Sequence, residues 1–104
     1  MAWVILVASG VLEAVWATAL GKSEGFSRLT PSIIFAVALL LSMSGLAYAM
    51  RDLPVGTSYA VWVGIGAVLT ASYAMAFDGE AVSALKIAFL LGIVGCVIGL
   101  KLAH

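Results

Sequence analysis

Glu13 stands in the run Val7-Ala8-Ser9-Gly10-Val11-Leu12-Glu13-Ala14-Val15-Trp16-Ala17-Thr18-Ala19-Leu20, which contains no cation. A carboxylate in surroundings this apolar costs several kcal/mol if it is ionised and unpaired. It therefore holds a proton unless a cation takes the proton's place. A site that binds either one, and opens to one side at a time, turns that competition into exchange. The bland counterpart is a protonated structural glutamate hydrogen-bonded between helices. Ionisable groups inside membranes mark function by default, and Glu13 is read here as the centre of a transport site.

Other residues have the chemistry to serve that site. Trp16 follows Glu13 by three positions, so on a helix the two share nearly one face. An aromatic face beside a carboxylate suits a cation, although Trp16 can equally be a packing residue. Gly10 precedes Glu13 by three positions and allows a helix or a substrate to come close. Ser42 and Ser44 can donate to a carboxylate, or bond their own helix backbone instead. Tyr59 and Trp62 are three apart and each brings a donor that needs a partner in lipid. Gly64 and Gly66 permit bending, which suits a helix that closes one side and then the other. Close helix packing is the alternative use of the same glycines.

Four long apolar elements must position these groups. Of the 104 residues, 64% are hydrophobic and 10% charged, against about a quarter charged in soluble domains. Mean hydropathy is +1.22. A soluble chain this small has no core large enough to hide so much apolar surface. Spans of roughly 20 residues cross a bilayer as helices, and the sequence offers four, at about 2–20, 31–50, 57–77 and 84–103. The expected fold is an all-α membrane protein with residues 1–104 as a single four-helix domain. The first run has no basic stretch ahead of it and carries a carboxylate, so it does not read as a cleaved signal peptide. Thr30 is read as the N-cap of the second span, with Pro31 at its first helical position.

Net charge is zero, which gives no pull toward nucleic acid. The single cysteine, Cys96, excludes an intrachain disulfide, and no cluster has metal-ligand spacing, so no metal or cofactor is expected. No nucleophile–base pair suggests an enzyme. With four spans, Arg51 and Lys101 fall on one side and Lys22, Arg28 and Lys86 on the other. A balance of two against three barely orients the chain. Copies inserted both ways, or one topology set by a small bias, are both open. The fourth span aligns Ala88, Gly92, Gly95, Gly99 and Ala103 on one stripe, a pattern used mostly for helix association.

The combination resembles the small multidrug resistance family along the whole chain. It has four short spans, a lone glutamate in the first, and Pro54-Val55-Gly56-Thr57-Ser58-Tyr59-Ala60-Val61-Trp62 followed by Gly64 and Gly66. The stretches Gly10–Ala17 and Gly25–Ser32, with Lys101 and His104, are similar to the guanidinium-exporter subtype. That resemblance implies a proton-coupled antiporter of guanidinium and small substituted guanidiniums in the bacterial inner membrane. It implies an antiparallel, dual-topology homodimer in which Glu13 of both copies forms the site. It also implies Ser42, Tyr59 and Trp62 as the surrounding network, adjoined by Gly10 and Trp16.

The chemistry of the ligand agrees. Guanidinium is flat, permanently charged near neutral pH, and able to pair with a carboxylate through two parallel N–H bonds. Two Glu13 side chains in one dimer would titrate as a coupled pair. Other readings stay open on the residues alone: an exporter of quaternary ammonium or hydrophobic cationic drugs, a non-transporting membrane subunit held by the glycine stripe, and a passive cation channel.

Overall fold

Hydrocarbon offers no partners to backbone N–H and C=O groups, so each apolar run must satisfy them within itself, as a helix does. A computed structural model describes residues 1–103; His104, which helped carry the resemblance, lies outside the described residues. Among those residues the chain forms four helices and no strand: α1 (Ala2–Lys22), α2 (Leu29–Ala49), α3 (Val55–Phe77) and α4 (Ala84–Ala103). At 20 to 23 residues they are about 30–35 Å long, which matches a bilayer core. All four are long and apolar enough to cross a membrane.

One expected boundary is corrected. Arg28, in extended conformation, is the N-cap of α2, and Leu29 is its first residue. Thr30 therefore lies inside the first turn and does not cap it. Pro31 is tolerated there because the first four N–H groups of a helix have no intrahelical acceptor anyway. The Ser32 hydroxyl donates to the Arg28 carbonyl at 2.6 Å and ties down the turn.

α1 packs against α2 and α3, while α4 lies along α3. The buried residues of α1 include Leu6, Ser9, Gly10 and Glu13, at the spacings of one helical face. The buried residues of α2 include Ala38, Ser42 and Leu46, and those of α3 include Ser58, Val61, Trp62 and Gly66. No described residue of α4 is buried. Large apolar side chains such as Leu40, Phe89 and Leu91 point outward, where a bilayer supplies the solvent that water cannot.

The ends are pinned in an up-down-up-down order. Lys101 sits over the Trp3 ring at 5.7 Å, joining the start of α1 to the end of α4. At the opposite end Lys22 pairs with Asp78 at 3.0 Å, joining α1 to the end of α3. The α1–α2 connection turns on Glu24, Gly25 and Phe26, all with positive φ. Two of these are not glycine, an uncommon state. Ser23 holds the turn, donating to the Leu20 carbonyl and accepting from the Phe26 N–H.

Candidate functional site

Glu13 lies mid-way along α1 and is buried, with 9% of its surface exposed. Its carboxylate lies directly over Gly66 of α3, in the space a Cβ there would fill. Any larger residue at Gly66 would have to displace it. Gly10 does a different job one turn earlier. A Cβ on Gly10 would come within 2.8 Å of Ile65, so this glycine sets how close α1 and α3 approach. Gly64 faces the other way and receives Val97 of α4. Gly64 and Gly66 both lie within the continuous helix α3, each accommodating a different neighbour.

Ser42, Tyr59 and Trp62, expected around Glu13, are engaged with one another and with the backbone of α1. The Trp62 indole N–H donates to the Ser42 hydroxyl at 3.0 Å. Ser42 in turn donates to the Ser9 backbone carbonyl at 2.7 Å. Ser9 donates its own hydroxyl to the Ile5 carbonyl. This buried chain of bonds links α3 to α2 to α1. No hydrogen bond reaches the Glu13 carboxylate from Ser42, Tyr59 or Trp62. Tyr59 is 55% exposed and stacks at 5.9 Å on Trp62.

Trp16 lies between two aromatic neighbours, Phe35 at 5.9 Å and Trp62 at 6.5 Å. Phe35 also meets Phe26 at 5.5 Å. A ladder of rings thus runs from the α1–α2 turn, past Glu13, to Tyr59. The Trp16 indole N–H and the Ser58 hydroxyl are buried without a partner among the described residues. Buried donors normally find acceptors, so both are free to serve a ligand or another helix. Sequence reasoning missed Ser9 and Ser58. Their positions, Ser9 four residues before Glu13 and Ser58 four before Trp62, were the signal available.

Glu13 opens onto a cavity of about 400 Å³ between α1 and α3. Trp16, Ala17, Gly66, Ala67, Thr70, Ala71 and Ala74 line it, and Glu80 stands at its far end. A larger groove of about 660 Å³ beside Val11, Ala14, Tyr73 and Phe77 is nearly all apolar and ends at Lys22. Gly92, Gly95 and Gly99 of α4 face open space. No group of three or more metal-ligating side chains occurs among the described residues.

The arrangement has the chemistry a cation needs: one deep carboxylate, an indole beside it, and a passage lined by small residues. Comparison with known proteins points the same way. A family model described as Small Multidrug Resistance protein matches residues 1–94. The chain is 56% identical over 103 residues to a guanidinium exporter of Yersinia pseudotuberculosis serotype I (strain IP32953), covering 99% of each chain. It is 52% identical over 103 residues to a guanidinium exporter of Escherichia coli (strain K12), covering 99% of this chain and 98% of that one. A guanidinium exporter of Proteus vulgaris is 50% identical, with 99% of each chain covered.

Proposed function

Because this chain belongs to the small multidrug resistance family, we propose that it exports guanidinium and small substituted guanidiniums in exchange for protons, both bound at Glu13. It is a multi-pass protein of the bacterial inner membrane, and its relatives are transporters by name. The observation that carries the reading is Glu13 itself, the one carboxylate within the four spans. It is buried against Gly66 yet faces a cavity. Such a group is costly to leave both ionised and alone, so it always holds one of two ligands.

The working unit in this reading is an antiparallel homodimer with both Glu13 side chains in one site. Two observations support it. The helix α4 has no fully buried residue within its own chain and presents Gly92, Gly95 and Gly99 to open space. Positive charge is nearly balanced between the two membrane sides. Ser42, Tyr59 and Trp62 then set the polar rim of the site, and Gly64 and Gly66 give α3 the freedom to bend as access alternates.

Exchange in proteoliposomes tests the reading. A guanidinium gradient should drive protons uphill with the wild-type protein and fail to do so with Glu13→Gln, which keeps the shape but cannot exchange its proton. Retained exchange by Glu13→Gln would overturn it. A bulky quaternary ammonium carried as well as guanidinium would favour the drug-exporter alternative.

A further inference from the structure

The cavity beside Glu13 has a second carboxylate at its other end. Glu80, in the α3–α4 connection, shares its wall with Glu13. Between them α3 contributes Gly66, Thr70 and Ala74 at four-residue spacing. Eight residues of helix span about 12 Å, so the cavity runs from mid-membrane to the surface. Its wall is kept low by glycine and alanine, and Thr70 adds the one hydroxyl along the way. About 400 Å³ leaves ample room for a compact cation.

Glu80 is already engaged by a cation of the chain itself. Lys86, near the start of α4, pairs with it at 2.9 Å and also donates to the Ala81 carbonyl at 3.0 Å. Both side chains are partly exposed, and exposed pairs of this kind hold weakly. A guanidinium offers two parallel N–H bonds to a carboxylate where an ammonium offers a point charge. The Lys86 ammonium is thus a replaceable occupant at the entrance to the cavity.

We propose that Glu80 is the entry site for the transported cation, which displaces Lys86 there before moving along the slot to Glu13. This deepens the transport reading above and rests on it. In an inverted dimer each membrane face presents one such entrance, so loading and release use the same device. A carboxylate at the mouth of a low-dielectric cleft raises the local concentration of cations and their rate of entry.

The test compares Glu80→Gln and Lys86→Gln with wild type in guanidinium–proton exchange, at salt from ~0.01 M to ~1 M. Over that range the screening length falls from about 30 Å to about 3 Å. Glu80→Gln should raise KM for guanidinium on the order of tenfold at low salt, with the maximum rate falling far less. The difference should shrink at high salt. Lys86→Gln should shift KM the opposite way, because it frees Glu80. Unchanged KM in Glu80→Gln, or a loss of maximum rate alone, overturns the proposal. If Glu80→Gln fails to insert, Lys86→Gln decides by itself, with lowered KM in favour and unchanged KM against. Absence of exchange in the wild type overturns the transport reading and the entry site with it. Normal exchange with an indifferent Glu80 overturns only the entry site.

Discussion

The Glu13 carboxylate and the α-carbon of Gly66 are in direct contact, the acid lying where any other residue at 66 would carry its Cβ. The colliding atoms of Glu13 are the far end of a flexible side chain. Gly66→Ala should therefore leave the fold nearly intact and turn the carboxylate out of place. Guanidinium affinity is expected to fall about tenfold, equivalent to about 1.4 kcal/mol, with little change in unfolding midpoint. Titration calorimetry and a denaturation curve on the same sample check both halves.

Gly10→Ala should show the reverse balance. Its new Cβ would meet the Cβ of Ile65 at 2.8 Å, an atom that moves only with its backbone. Parting α1 and α3 at this point costs about 1–3 kcal/mol, as overpacking does elsewhere. Loss of stability larger than the loss of guanidinium affinity is the expected outcome, read from the same two measurements.

Substitution of Ser42 by alanine removes a donor and an acceptor at once. The Trp62 N–H loses its acceptor and the Ser9 carbonyl loses its donor. Interhelical hydrogen bonds in membranes contribute roughly 0.6–1.7 kcal/mol, and the variant should be destabilised by a value in that range. Equilibrium unfolding in mixed micelles would measure it; no change would show that the three-helix link carries no stability.

Leucine at Gly95 or Gly99 should leave the single chain folded, since both positions face open space. Self-association should weaken sharply if α4 is the assembly face. Sedimentation in detergent distinguishes the cases. An undiminished dimer with Gly99→Leu would place the interface elsewhere.

Removing the exposed Lys22–Asp78 pair with Asp78→Asn should matter little. Surface ion pairs contribute about 0–1 kcal/mol, and Lys22 keeps its contact with the Tyr73 ring at 5.7 Å. A thermal melt should move only slightly.

The sequence made the spans and Glu13 easy to read, for the same physical reason. Lipid penalises polar groups so strongly that long apolar runs can only be spans and a lone carboxylate can only be an anomaly. It was less informative where a residue has two satisfactory uses. Trp62 needed an acceptor, and Glu13 was the strongest one in prospect, yet its N–H goes to Ser42. A backbone carbonyl such as that of Ser9, which receives the Ser42 proton, leaves no mark in a sequence at all. Thr30 carried a capping signature, but Arg28 takes the cap, because a proline fits several positions of a first turn. Glu80 lies 67 positions from Glu13 in the chain, and only the packing of α1 against α3 brings the two to one cavity.

The Ser42 hydroxyl has a single proton, and it points at the Ser9 carbonyl. Turning that proton anywhere else would release the clasp between α1 and α2. The Trp62 N–H, which arrives on the oxygen and not on the proton, leaves the hydroxyl free to rotate. The join between the first two helices is therefore a rotor with one engaged setting, and whatever competes for its single proton competes with helix cohesion.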